Sequence, residues 1–335
     1  MQHWTRAITV GFATIAVVLA ACGTTSTNRG GGASEGAPGN CRGSNAQYVI
    51  GMSQANLAEP YRQRMNDDIQ TAAAKVPQFS LRFADAAQDN SKQVADVENF
   101  LTQRIDLLII SPNEAKPLTA VVERATGQGI PVLVLDRKVE GRAYTSFIGA
   151  DNVDIGRRAG QYVARTLLPQ GGTVAELTGL PGSTPAQERG QGFREGIKDS
   201  SVRIVATQAA DWLRDSAQAK MDAILQTHQD LDVLFAHGDP MAEGAYLAAR
   251  AAGRANSIKF IGIDALPTPS GGIKAVEAGR LSATFRYPTG GQEAIEAAKK
   301  LLIDCVPVPK IQTLSTELIT KDNAAEVYAR LNPEG

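Results

Sequence analysis

Residues 106–137 read DLLIISPNEAKPLTAVVERATGQGIPVLVLDR. Two runs rich in Val, Ile and Leu, DLLIISP (106–112) and PVLVLDR (131–137), flank a segment of helical period. Continuous apolar runs of this length fit strands buried on both faces, and strands joined through a helix lie parallel. The stretch is a βαβ unit. The same alternation continues outward in both directions, through YVIGMS (48–53), LRFADA (81–86), TSFIGAD (145–151), TVAELTG (173–179), RIVATQ (203–208), DVLFAHG (232–238), FIGIDA (260–265) and LSATFRY (281–287). Between them, Val94, Val97, Leu101 and Ile105 share one helix face, as do Ala217, Met221, Ile224, Leu225 and His228. Ten strands exceed what one compact sheet usually holds, so the expected fold is α/β with two doubly wound parallel-sheet lobes.

The 335 residues include 34 Lys plus Arg and 35 Asp plus Glu, a formal net charge of −1, and 43% hydrophobic residues. A disordered or fibrous chain is excluded, and no basic stripe offers itself to nucleic acid. Residues 1–22 carry one charge, Arg6, then an apolar run from Ala7 to Ala21 that stops at Cys22. The run is shorter than the roughly 20 residues of a membrane-spanning helix and reads as an export signal. Leu19-Ala20-Ala21-Cys22 is similar to the lipobox of bacterial lipoproteins, which makes Cys22 the expected lipidation site; an ordinary cleaved signal is the alternative. Residues 23–45, rich in Gly, Ser and Thr, form a flexible linker. Cys41 and Cys305 remain after Cys22, and in an exported protein that even number suggests a disulfide, with two free thiols as the alternative.

In doubly wound sheets ligands bind outside the carboxyl ends of the strands. Those ends are polar here: Ser53-Gln54, Pro112-Asn113-Glu114, Asp136-Arg137, Thr178-Gly179, Ala210-Asp211-Trp212, His237-Gly238-Asp239 and Asp264-Ala265. The enzyme motifs are absent. There is no phosphate loop, HExxH, GxSxG or CxxC; Gly190, Gly192 and Gly196 have the wrong spacing for a dinucleotide fingerprint and lie in a helical pattern. No cofactor and no metal site is expected. His228 reads as a packed core histidine.

Polar pairs and aromatics at strand ends, behind an export signal, describe a capture protein. The chain resembles the type I periplasmic sugar-binding proteins of ABC transporters, the ribose- and galactofuranose-binding group. The resemblance rests on IGMSQ (50–54), PYR (60–62), IPVLVLDR (130–137), GADN (149–152), ELTGLPGSTPAQERGQGF (176–193), ADW (210–212), FAHGDPMAEGAYLA (235–248), IGIDALP (261–267) and GRLSATFRYP (279–288). It implies two lobes joined by three crossings, near Ile148–Asp151, Arg286–Thr289 and Leu314–Glu317. One lobe then comprises residues 46–149 plus 288–314 and the other 150–287 plus 315–335.

The resemblance also implies the ligand set. Asp136 and Arg137 side by side can each engage paired sugar hydroxyls with charge-assisted hydrogen bonds. Arg189 matches the second sugar-binding arginine and Asp264 a carboxylate that accepts from a hydroxyl. Tyr61 and Trp212 match aromatics that close on the ring, Arg62 follows the galactofuranose-type pattern, and Glu59, Arg286 and Tyr287 complete the candidates. Gly238-Asp239 stands where the group usually has Asn-Asp, so an amide is missing, and water, His237 or a larger ligand is expected to fill its place. The expected function is capture of a monosaccharide or polyol by a monomer, held to the membrane only through a lipid, and delivery to an ABC permease. A receptor that presents sugar or an autoinducer to a sensor kinase or chemoreceptor is the alternative. A repressor would need a DNA-binding helix-turn-helix where the export signal stands. A glycosidase would need paired carboxylates where the resemblance places hydroxyl-binding ones.

Overall fold

The computed structural model describes residues 40–332. The export signal, Cys22 and most of the linker lie outside these residues.

The first lobe is built on β1 (Tyr48–Gln54), β2 (Phe79–Asp85), β3 (Leu107–Ile110), β4 (Val132–Leu135) and β5 (Ser146–Ala150), with α1 (Pro60–Ala73), α2 (Asn90–Thr102) and α3 (Ala115–Gly127) between them. The second follows with α4 (Asn152–Tyr162), β6 (Gly172–Thr178), α5 (Thr184–Ile197), β7 (Val202–Ala209), α6 (Arg214–Thr227), β8 (Val233–Ala236), α7 (Asp239–Ala251), β9 (Lys259–Ile261), α8 (Gly272–Glu277) and β10 (Ala283–Arg286). The chain then returns through α9 (Gly291–Leu302) to β11 (Ile311–Leu314), and crosses once more to β12 (Glu317–Thr320) and α10 (Ala324–Leu331). The sheet orders are β11-β5-β4-β3-β1-β2 and β12-β10-β9-β8-β6-β7. Within each, order reverses at the first strand, between β1 and β3 and between β6 and β8, which is where doubly wound sheets open a crevice.

The central strands are four-residue apolar runs buried along their whole length, LLII in β3, VLVL in β4 and VLFA in β8. β11 and β12 were not among the expected strands. They are short, half-polar edge strands, and β12 runs antiparallel to β10 while every other pairing is parallel. A long apolar run signals only strands covered on both faces. His228 departs from its expected place in the core: α6 ends at Thr227, and the half-buried histidine caps it.

The glycines of α5 have a packing role. A Cβ on Gly192 would stand 2.0 Å from the carbonyl oxygen of Val153 in α4, and one on Gly196 2.3 Å from that of Arg157. From the α4 side, Gly156 and Gly160 meet the α5 backbone in the same way. Two helices touch here backbone to backbone, and the seam holds Arg189 beside the start of α4. At the opposite end of the fold Cys41 and Cys305 form a disulfide, with Cα atoms 5.4 Å apart. It ties the segment before β1 to the segment after α9, both in the first lobe.

Candidate sugar-binding cleft

The crevice between the lobes is lined from one side by Glu59, Tyr61, Arg62, Asp136 and Arg137, and from the other by Pro185, Arg189, Trp212, Gly238, Pro240 and Asp264. Most follow a strand end or open a helix; Arg189 lies within α5. Pro60 starts α1 in the first turn, where its missing N–H costs nothing, and this sets Glu59, Tyr61 and Arg62 at the mouth of β1.

Arg62 is buried and donates from Nη2 to Asp136 Oδ2 at 2.6 Å and from Nη1 to Ser111 Oγ at 2.6 Å. Arg137, only 1% exposed, donates to Glu59 Oε1 at 3.1 Å and to the Asn113 carbonyl at 3.2 Å. Glu59 also accepts from Asn56 Nδ2 at 2.6 Å. Burial favours the neutral form of Asp136, but Arg62, Arg137 and Arg189 outweigh it and hold the carboxyl below its usual range. Asp136 is therefore an anion that accepts hydrogen bonds only.

Across the crevice, Arg189 donates from Nε to Asn152 Oδ1 at 2.8 Å and from Nη1 to the His237 carbonyl. Asn152 donates in turn to Tyr287 Oη at 3.2 Å. Tyr287 packs edge-on against Tyr61, with ring centroids 5.6 Å apart, and Tyr61 donates to the Pro288 carbonyl at 3.0 Å. Arg189, Asn152, Tyr287 and Tyr61 thus form one polar and aromatic chain across the crossing strands. Trp212 sits between two guanidiniums, Arg137 at 5.2 Å and Arg189 at 5.5 Å from its ring. Gly179 makes room for it: a Cβ there would lie 2.0 Å from the indole. Trp212 Nε1 and Asn113 Oδ1 are buried and make no hydrogen bond within the protein.

Strained backbone concentrates here. Asp136, Asp211, Trp212, Asp264 and Ala265 have φ of 60°, 53°, 70°, 133° and 49°, a region non-glycine residues rarely occupy. Asp264 is partly exposed to the crevice, and its carboxyl is pushed well above the ordinary value by burial first and by the neighbouring Asp239 second. Asp239 lies beneath it, accepting from the Ala265 amide and from Thr284 Oγ1 at 2.7 Å each, with its own pKa raised by burial to about 7.

Of the sequence-derived set, Glu59, Tyr61, Arg62, Asp136, Arg137, Arg189, Trp212 and Asp264 come together, with Tyr287 edge-on against Tyr61. Arg286 does not join them. It lines a separate cavity beside the crossing segment, which Tyr287 borders as well while packing against Tyr61. His237 does not occupy the place of the missing amide either. Its ring is fully buried in the second lobe, Nε2 lying 3.1 Å from Glu176 Oε1. Asn56, Ser111, Asn113 and Asn152, given no ligand role from sequence, orient the charged groups. Ser111 and Asn113 follow β3 and Asn152 follows β5, so all three lie where the strand-end rule looks; Asn56 follows β1 by two residues.

The lobes are closed. The Ala115 amide donates to the Gly182 carbonyl at 3.0 Å, Lys138 pairs with Glu188 at 2.5 Å, and Gln88 donates to the Asp211 carbonyl at 3.3 Å, all from one lobe to the other. The remaining space in the crevice is about 20 Å³, room for a water molecule. A larger ligand enters only when the lobes part.

Two facing α/β lobes with a charged, aromatic crevice between their strand ends define a hinged solute-binding protein. The sequence profile of the periplasmic binding protein domain matches residues 50–304, and the chain belongs to that family. The ribose import binding protein of Bacillus subtilis is 34% identical over 262 residues, 78% of this chain and 83% of that protein. The fructose-binding periplasmic domain of a hybrid two-component system superposes with a TM-score of 0.83 at 41% identity, covering 86% of this chain and 95% of the other. A Mycobacterium smegmatis protein in complex with β-D-fucofuranose superposes with a TM-score of 0.79 at 31% identity, covering 86% of this chain and 95% of the other. The protein is an extracytoplasmic sugar-binding protein of the ABC-importer type.

Proposed function

We propose that the protein captures a monosaccharide of five or six carbons, in ring form, between its lobes and delivers it to an ABC permease without altering it. The observation that carries this reading is the apposition of Asp136 and Arg137 on one lobe with Arg189 and Trp212 on the other. Ionised Asp136 accepts from sugar hydroxyls, the guanidiniums donate to them, and the indole covers an apolar ring face. A ligand that touches both sides binds the closed form best and so draws the lobes together. The β-D-fucofuranose bound to one neighbour, together with Arg62 following Tyr61, supports a furanose ring. Lipidation at Cys22, which lies outside the described residues, would tether a monomer at the outer face of the membrane.

A thermal-shift panel of fructose, ribose, arabinose, galactose and myo-inositol tests the reading. One small group of sugars should raise the melting temperature by mass action. No shift with any of them would contradict it. The sensor-domain neighbour supports a second reading, in which the bound form signals to a kinase. Deleting the gene separates the two: loss of uptake of the bound sugar marks transport, and loss of a transcriptional response with uptake intact marks signalling.

A further inference from the structure

Glycines around the floor of the crevice answer to their neighbours. A Cβ on Gly179 would strike the Trp212 indole at 2.0 Å, and one on Gly262 would come within 2.1 Å of Asp239 Oδ1. Gly238 has no such reason. Its backbone is extended, with φ −159° and ψ 152°, a region open to any residue. A Cβ there would meet its nearest atoms at 3.5 to 3.8 Å, which is ordinary van der Waals contact. It is also the N-cap of α7, where Ser, Asn or Asp would supply a side-chain hydrogen bond that glycine lacks. Conformation and packing permit a side chain and capping favours one, yet the wall of the crevice is bare at this point.

The room over Gly238 has one polar and one apolar wall. Asp264 Oδ2 stands 3.5 Å from the position a Cβ would take, Met241 Cε 3.7 Å and Pro240 Cδ 3.8 Å from it. Among the described residues the Asp264 carboxyl makes no hydrogen bond. A carbon in that position would rest against the methionine and the proline, and a hydroxyl oxygen one bond further on can come within about 2.5–3.0 Å of the carboxyl. One carbon bearing one hydroxyl therefore matches both walls. Gly238, Pro240, Met241 and Asp264 all belong to the second lobe, so the room persists when the lobes part.

We propose that Gly238 determines specificity: the space above it receives an exocyclic hydroxymethyl group of the sugar, with the methylene on Met241 and Pro240 and the hydroxyl on Asp264. The site then selects sugars that carry this group over counterparts that carry a methyl group or a hydrogen in its place. This deepens the capture reading above and rests on it.

Isothermal titration of the full-length protein with sugars that differ only at this group tests the proposal. D-Fructose is compared with 1-deoxy- and 6-deoxy-D-fructose and with D-arabinose, which lacks the hydroxymethyl group on the anomeric carbon. D-Galactose is compared with D-fucose and L-arabinose, which carry a methyl group and a hydrogen where it carries hydroxymethyl. A parent sugar should bind roughly 10- to 100-fold more tightly than its counterpart, the range expected for a lost hydrogen bond to a carboxyl or a lost methylene contact. Gly238→Ala should remove that preference by weakening the parent while leaving the counterpart unchanged. Gly238→Ser, whose side chain is itself a hydroxymethyl group, should reverse it. Both variants should melt no lower than wild type. Wild-type protein that binds neither parent more tightly than any counterpart would overturn the proposal whether or not the variants fold, and so would a preference that survives in Gly238→Ala. Absence of binding by every sugar would instead count against the capture reading and take this inference with it.

Discussion

Asp136 keeps a negative charge where water barely reaches because three guanidiniums surround it. Removing it tests that balance. Asp136→Ala leaves Arg62 and Arg137 with Glu59 alone, and loss of one partner from a buried cluster costs about 3–5 kcal/mol. Asp136→Asn keeps the shape, so it should fold near normally yet weaken sugar binding by roughly 10- to 100-fold in calorimetry, as should Arg189→Ala. Unchanged affinity in both would remove these residues from the site. Asp239 gives a pH signature. Its folded pKa of about 7 lies above the ordinary 3.8, so the native state holds the proton more tightly and stability falls as pH rises toward and through 7. Melting temperature should therefore rise as pH is lowered from 8 to 6.5, and Asp239→Asn should show a smaller rise. Below 6.5 the depressed pKa of buried His237 works the other way, since the unfolded chain takes up that proton first. Identical slopes in wild type and Asp239→Asn would exclude Asp239 as the source. At this scale Asp136, Arg137 and Asp264 were readable because they follow strand ends, where the fold puts its ligands, whereas Arg189 lies within α5 and was readable only through the family resemblance. Arg286 lies outside the crevice, in the wall of a neighbouring cavity that Tyr287 also borders, and the orienting role of Asn152 exists only through its bonds to Arg189 and Tyr287.

The α4–α5 seam shows how an element sets the site. Gly156 and Gly192 let the two backbones meet, and the contact runs directly under Arg189, so its guanidinium reaches Asn152 and the crevice. Gly192→Ala would push a methyl into the Val153 carbonyl and should cost about 1–3 kcal/mol in denaturant unfolding. Gly127→Ala, at the end of α3 with open space around it, is the control and should be neutral or slightly stabilising. Equal effects would mean that the seam is looser than the backbone distances imply. Strand identity was legible wherever apolar runs were continuous, as in β3, β4 and β8. β11 and β12 escaped because an edge strand needs only half its residues apolar and four residues give no period to count. His228 shows the same limit at a helix end, where the apolar face outlasts the helix by a residue.

At the scale of the whole molecule, three crossings join the two lobes, while the Cys41–Cys305 bond, both of whose ends lie in the first lobe, closes a loop of 264 residues that includes most of the second. Reduction, or Cys41→Ser with Cys305→Ser, should lower stability by about 2–5 kcal/mol and leave sugar affinity unchanged, because the bond lies away from the crevice. The alternation of strands and helices was enough to announce two lobes, since it follows from burial alone. How far the lobes close was not legible, because it depends on contacts such as Ala115 with Gly182 that join residues far apart in sequence. Trp212 offers the most direct test of capture between the lobes. Apart from Trp4 it is the only tryptophan in the chain, so in a protein beginning at Cys41 its emission reports the crevice alone. Titrating that protein with the monosaccharide panel should give a saturable change in fluorescence with at least one sugar, and Arg189→Ala should abolish it. A folded protein whose Trp212 emission responds to none of them would contradict the account.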